Sequence, residues 1–108
     1  MLPLLFLASC SSKPAVEPPA DLIAEDTIVQ MVAEQLVIES TVFNAPPIYD
    51  KDGLTRALYS QLFEKYSVTV PRYRSSLTYY FVDKERMNNI LTRAKERIDA
   101  QTAALPNQ

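Results

Sequence analysis

Glycine is almost missing from these 108 residues, with Gly53 the only one. Strand-rich folds of this size spend glycine on tight turns and bulges, so its scarcity argues for helices. Histidine and tryptophan are absent, and Cys10 is the only cysteine. A single thiol cannot close an internal disulfide. Without histidine, neither a Cys/His zinc site nor a Ser-His or Cys-His catalytic pair can be assembled. Several large enzyme classes fall away, and neither a metal nor a cofactor is implied. Long apolar runs are missing too: the one at the N-terminus is far too short to cross a bilayer.

What is present has an ordinary globular balance, 47% apolar and 22% charged, in a length that suits one domain. The net charge of −2 conceals an uneven distribution. Residues 1–52 carry eight acids against Lys13 and Lys51, a balance of −6, and residues 53–108 carry nine Lys and Arg against five acids, a balance of +4. Halves of opposite sign are expected to pack together and neutralise one another. The sharper alternative is a basic face for anionic lipid or an acidic partner. An acidic domain suits nucleic acid poorly.

The N-terminal run ends in Leu7-Ala8-Ser9-Cys10, which resembles the lipobox of bacterial lipoproteins. Small residues ahead of the cysteine let the backbone enter a signal-peptidase cleft, and the thiol then carries the lipid. By this resemblance, residues 1–9 are a signal peptide and Cys10 is the acylated, palmitate-bearing first residue of the mature chain. Such a signal opens with Lys or Arg, and no charged residue precedes Cys10; a start upstream of Met1 would account for that. The competing reading makes Leu2–Ala8 a buried terminal segment and Cys10 a core thiol. Residues 11–20 hold three prolines and no apolar periodicity. Residues 10–20 are therefore expected to be a disordered, extended tether of roughly 3 Å per residue.

Residues 21–105 read as an all-α domain, a small four-helix bundle. Acids at Glu25 and Asp26 open a first helix that runs to about Phe43, with Ile28, Met31, Val32, Leu36, Ile38, Val42 and Phe43 on one broad face. Val29, Ala33 and Val37 extend that apolar surface, and Thr27, Gln30, Glu34 and Thr41 form its polar strip. Pro46-Pro47 breaks the helix, and a loop is expected as far as Gly53. Asp50-Lys51-Asp52-Gly53 resembles a fragment of a calcium loop but lacks its further ligands, so a plain turn is expected. A second helix spans Leu54 to Tyr66, with Leu54, Leu58, Tyr59, Leu62, Phe63 and Tyr66 inward. Thr69 can cap a third helix with Pro71 in its first turn and Tyr73, Ser76, Leu77 and Tyr80 inside. Asp83 can cap a fourth, whose stripe is Met87, Ile90, Leu91, Ala94 and Ile98, with Arg93, Lys95, Glu96, Arg97 and Asp99 outward. Leu62, Leu77 and Ile90 fall at the centres of three apolar faces.

The run Leu58-Tyr59, Leu62-Phe63-Glu64-Lys65-Tyr66, Thr69, Ser75-Ser76-Leu77-Thr78-Tyr79-Tyr80 and Ile90-Leu91, after Met31-Val32-Ala33-Glu34 and Glu39, resembles a family of small Bacteroidota lipoproteins. That family is known only as a domain of unknown function. The likeness spans about Leu22 to Ile98, and the Ser-Leu-x-Tyr-Tyr block is its most specific part. Ser67 stands where the family often has glycine, and Glu34 where it often has aspartate. The resemblance implies a lipoprotein with a helical domain and brings no activity with it.

Gln35 and Glu39 fall inside the apolar arc of the first helix, one turn apart. A buried carboxylate costs several kcal/mol unless paired, so both are expected to be buried polar groups, with Glu39 held by a tyrosine hydroxyl or an arginine. Arg72, Arg74, Tyr79 and Phe81 have the composition of an aromatic and basic partner contact. No catalytic set is recognisable. The sequence is therefore read as a non-enzymatic envelope lipoprotein, lipid-anchored at the outer membrane and facing the periplasm. It would bind a protein partner, as an accessory subunit of an outer-membrane assembly or transport complex. The alternative is a small-molecule or saccharide-binding module, which a pocket lined by Tyr59, Tyr66 and Tyr73 would favour. A third class is an enzyme using Glu39 or Glu34 with tyrosines.

Overall fold

The structure, a computed structural model, describes residues 16–105. Cys10, the expected signal peptide of residues 1–9 and most of the expected tether lie outside the described residues. Within them the chain forms four helices and no strand: α1 (Glu25–Asn44), α2 (Lys51–Tyr66), α3 (Val70–Phe81) and α4 (Lys84–Ala103). The glycine-poor composition and the 3.6-residue periodicity thus lead to the expected all-α bundle.

Local chemistry sets most of the boundaries. The Thr69 hydroxyl accepts the Arg72 amide proton at 3.3 Å, and Pro71 supplies a helical φ in the first turn of α3. Asp83 accepts from the amides of Glu85 and Arg86 at 3.0 and 3.2 Å and so starts α4. Glu25 and Asp26 place negative charge at the positive end of the α1 dipole. α2 begins earlier than the periodicity indicates. Asp50 to Gly53 is not a free turn; it forms the cap position and first turn of α2. A Cβ on Gly53 would come within 2.7 Å of Asp50 Oδ2, so this glycine permits close approach by a side chain.

The end of α2 is more demanding. The Ser67 amide donates to the Glu64 carbonyl at 3.1 Å, and the Val68 amide donates to that of Phe63 at 3.0 Å. Together these close a Schellman turn, with Val68 buried beneath it. The turn puts Ser67 at φ 54°, the left-handed region that favours glycine.

Contacts give the direction of each helix. α2 runs back along α1, with Lys51 against Phe43, Tyr59 against Glu39, and Tyr66 against Gln30 and Glu34. α3 continues toward the same end, from Tyr73 at Gln35 to Ser76 and Tyr80 at Ile23. α4 then returns parallel to α1, with Arg86 and Arg93 at Glu25 and Gln101 beside Val37 and Ile38. The return leg is thus divided between α2 and α3, and their seam is closed by Phe63 meeting Tyr73 edge-on at 5.5 Å.

Ile28, Met31 and Ile90 are fully enclosed, joined in the core by Val32, Leu62, Tyr73, Tyr80 and Ala94. Two expectations for α1 need correction. Phe43, placed on the inner face by its spacing, is 81% exposed, and Val37 is exposed as well. α4 reaches this part of α1 only through Gln101 beside Val37 and Ile38 and ends two residues later, so Val37 stands at the edge of that contact and Phe43, farther along α1, has no neighbour to face. Leu77 is half-buried and packs against the edge of the core.

All four ion pairs seen among the described residues join the acidic half of the chain to the basic half. They are Lys65–Glu34 at 2.9 Å, Arg86–Glu25 at 3.4 Å, Arg93–Glu25 at 3.3 Å and Arg93–Asp26 at 2.6 Å. Arg93 therefore does not point outward; it clamps α4 to the start of α1. Exposed pairs each contribute at most about 1 kcal/mol, so they select the pairing of helices more than they hold it.

Leu62→Ala and Ile90→Ala, at 2% and 0% exposure, should each cost about 2–5 kcal/mol in urea denaturation, and Leu77→Ala less. Ser67→Gly should raise stability by up to about 1 kcal/mol, because the left-handed conformation costs serine more than glycine. A lower urea midpoint for Ser67→Gly would remove the strain argument.

Candidate functional site

Four tyrosines recur every seven residues, at 59, 66, 73 and 80, and each hydroxyl donates to α1 or to the segment leading into it. Tyr59 donates to Glu39 and Tyr66 to Glu34. Tyr73 donates to Gln35 Oε1 at 2.5 Å, and Tyr80 to the Ile23 carbonyl at 2.6 Å. The seven-residue spacing is visible in the sequence and was the signal available for this ladder. Reading Glu34 as part of a solvent strip missed its role, since it takes both the Tyr66 hydroxyl and the Lys65 ammonium.

Gln35 is half-buried, less enclosed than its place in the apolar arc implies, and its Oε1 accepts from Tyr73. Glu39 is not buried: it sits exposed at the outer edge of the seam between α1 and α2. Its tyrosine partner is the kind expected, but the hydroxyl reaches out to it at the surface. Only α2 lies beside that part of the seam, so water reaches the carboxylate.

These contacts fix the protonation of the ladder. Burial, reinforced by the hydrogen bond and charge of Glu39, pushes the Tyr59 hydroxyl up to about 12. Burial and Glu34 do the same for Tyr66, also to about 12. Burial pushes Tyr73 up as well, with a further contribution from Tyr59. Partial burial alone would raise the Glu34 carboxyl. The Tyr66 and Lys65 hydrogen bonds and the charges of Lys65 and Arg97 outweigh it, leaving the carboxyl below its ordinary 4.5. Such hydroxyls remain donors at neutral pH, suited to holding helices in register and poorly suited to nucleophilic attack.

Arg72, Arg74, Tyr79 and Phe81 do not form one patch. At 3.6 residues per turn, positions 72 and 79 share one line of α3, and 74 and 81 lie about 160° away. Arg72 turns back to donate from Nε to the Asp21 carbonyl at 2.7 Å. Phe81 is half-buried against the core. Arg74 and Tyr79 do meet at one shallow groove of about 460 Å³, which Val16, Pro19, Pro71 and Thr78 complete. A second groove of about 390 Å³ lies between α2 and α3, walled by Tyr59, Phe63, Val70, Tyr73 and Leu77, with Arg74 at its rim. Tyr66 does not line it. Among the described residues no cluster of three His, Cys, Asp or Glu side chains could hold a metal, and no helix is long and apolar enough to cross a membrane.

The segment before α1 is built into this face. The Ile23 amide donates to the buried Ser76 hydroxyl at 3.0 Å, and its carbonyl accepts from Tyr80. With the Arg72 bond to Asp21, α3 grips both residues through backbone atoms.

Fold and site together define a small all-α module with a strapped N-terminal entry, a tyrosine ladder and open aromatic grooves. The chain belongs to the family described as a domain of unknown function (DUF4296), whose pattern matches residues 19–104. That match begins within the strap and ends just beyond α4. No curated protein and no solved structure matches the chain.

The ladder carries a signed pH dependence. Tyr59 and Tyr66 have folded values above the ordinary 10, so their contribution is complete below pH 10 and is lost as pH rises toward about 12. Glu34 is shifted the other way: its contribution holds above 4.5 and is lost as pH falls through its depressed value. Tyr66→Phe should flatten both limbs of a plot of urea midpoint against pH. An unchanged profile would show that the Glu34–Tyr66 pair contributes nothing in solution.

Proposed function

We propose that this chain is an envelope lipoprotein of Bacteroidota, acylated at Cys10 and held at the periplasmic face of the outer membrane. There it acts as a non-enzymatic, protein-binding accessory subunit of an outer-membrane assembly or transport complex. The observation that carries the reading is the order of parts along the sequence. Leu7-Ala8-Ser9-Cys10 comes first, a proline-bearing segment follows, and a compact domain begins at the strap. The folded part is small, its grooves are shallow, and the four tyrosines of its ladder are committed to internal hydrogen bonds; binding by its surface suits it better than chemistry in a cleft. For sidedness, Ser11-Ser12-Lys13-Pro14 lacks the acidic cluster that would resemble a surface-export signal, and the first acid is Glu17.

A second reading, a binding module for a small molecule or saccharide, draws on the groove walled by Tyr59, Phe63 and Tyr73. It holds two of the three tyrosines that such a pocket called for, and aromatic walls suit sugar faces.

Cys10→Ala should abolish incorporation of labelled palmitate and shift the protein from the membrane fraction to the soluble periplasm. Palmitate label that persists in Cys10→Ala would refute acylation at this residue. Oligosaccharides that quench tyrosine fluorescence in the wild type and not in Tyr59→Ala would favour the second reading.

A further inference from the structure

The two ends of the domain differ. At one end the chain enters through the strap, where Asp21 and Ile23 are bonded to α3. The other end is the hairpin between α1 and α2, separated from the strap by the full length of α1, 20 residues or about 30 Å. Neither α3 nor α4 reaches the tip of this hairpin. Three large apolar side chains stand out there: Phe43 at 81%, Ile48 at 87% and Tyr49 at 60% exposure. A small domain loses solubility by displaying such a group without use.

The tip is also rigid by construction. The Tyr49 amide donates to the Pro46 carbonyl at 3.0 Å, closing a turn with Pro47 at its second position, where the ring fixes φ. Lys51 bends back so that its ammonium lies 3.4 Å from the Phe43 carbonyl oxygen, tying the start of α2 to the end of α1. Side chains displayed on a stiffened turn lose little further freedom on binding.

Charge around the tip has one prevailing sign. Glu39 and Phe43 border the same shallow recess, and Asp50 and Asp52 flank the turn. None of these three carboxylates has an ion-pair partner among the described residues; of the neighbouring cations, Lys51 is turned to the Phe43 carbonyl and Arg56 stands a helical turn beyond Asp52.

We propose that the tip of the α1–α2 hairpin, Phe43 with the Pro46–Tyr49 turn, is a preformed docking knob for a protein that offers an apolar recess rimmed by Lys or Arg. The three carboxylates without ion-pair partners disfavour the two other apolar occupants. An anionic leaflet repels them, and a second copy placed tip to tip would oppose like charges. The proposal deepens the accessory-subunit reading and rests on it: a domain tethered by its strap presents this knob at the end away from the tether.

The test uses the full chain in its own cells, with a photoreactive phenylalanine analogue at position 48 and, as control, at the exposed position 95 of α4. Irradiation should give one adduct with a different protein from position 48 and none from position 95. The crosslinked peptide of that protein, read by mass spectrometry, should lie among Lys or Arg residues. Asp50→Asn with Asp52→Asn keeps side chains that tolerate a helix start, so circular dichroism should be unchanged. Those changes should lower the adduct yield about fivefold. The knob is overturned by no adduct at 48, by an adduct with lipid or with the chain itself, or by a yield that ignores the Asn changes. Palmitate labelling at Cys10 reads the anchor separately. Label without an adduct overturns the knob; an adduct without label supports the knob and overturns the anchor.

Discussion

The apolar face of α1 is the constraint on which the rest of the fold depends. Ile28, with Met31 and Val32 one turn further on, belongs to a helix that is apolar round much of its circumference, and such a helix has to be enclosed on several sides. Only three further elements are available. α4 lies along one flank and α2 along another, while α3 takes the remaining length near the α1 N-terminus. Once Ile28 and Met31 are covered, little helix is left for the C-terminal turns of α1. Those turns and the start of α2 therefore project together as a hairpin. The exposed Phe43 is a consequence of where coverage is used up, and the packed core and the bare tip follow from the same shortage.

Apolar burial favours enclosure but does not choose a register, because it is indifferent to direction. The tyrosine ladder makes that choice. Each hydroxyl has an acceptor at a defined height on α1 or its strap, and sliding α2 by one turn would leave Tyr59 and Tyr66 facing the wrong side chains. A buried donor left without its acceptor costs about 1–3 kcal/mol, a penalty that falls on Tyr66, Tyr73 and Tyr80 if the helices slip, while Tyr59 bonds at the surface, where water can replace Glu39. The ion pairs at Glu25, Asp26 and Glu34 select the same arrangement from the outside. This gives a physical use for the unequal charge of the two halves, since each half alone repels itself and the folded pairing brings opposite signs together.

Much of this could be read in the residues, and the failures share a cause. Thr69 and Asp83 announced their helix starts because capping is a local interaction, complete within three residues. Tyr73, Ser76 and Tyr80 were legible because one face of a short helix repeats visibly. Phe43, Val37 and Glu39 misled because periodicity tells which side of a helix a residue occupies and says nothing about how far the neighbouring helix extends. Arg93 misled in the same manner: its register is outward, yet its long side chain lies back across α1 to Glu25 and Asp26. Arg72, Arg74, Tyr79 and Phe81 were grouped by nearness in sequence, while the turn of α3 sets Arg72 and Tyr79 on one line and Arg74 and Phe81 on another. Ser67 was legible in a different form. Its departure from the glycine expected by resemblance falls on the one described residue whose backbone is left-handed.

The strap completes the mechanical logic of the domain. Asp21 and Ile23 are held to α3 chiefly through their backbone atoms, by Arg72, Ser76 and Tyr80. A pull on the chain upstream would reach α3 first and pass through it to α4, its packing neighbour. Ser76 is buried and its hydroxyl is committed to Ile23, so freeing the strap would leave a polar atom without a partner in the core. Tyr80 would lose its acceptor in the same step. The penalties coincide, which makes release of the strap cooperative with opening of the α3 face. The hairpin tip takes no part in this path. The Pro46–Tyr49 turn is closed by its own backbone bond at the far end of α1, about 30 Å from the strap, and shares none of the strap's hydrogen bonds.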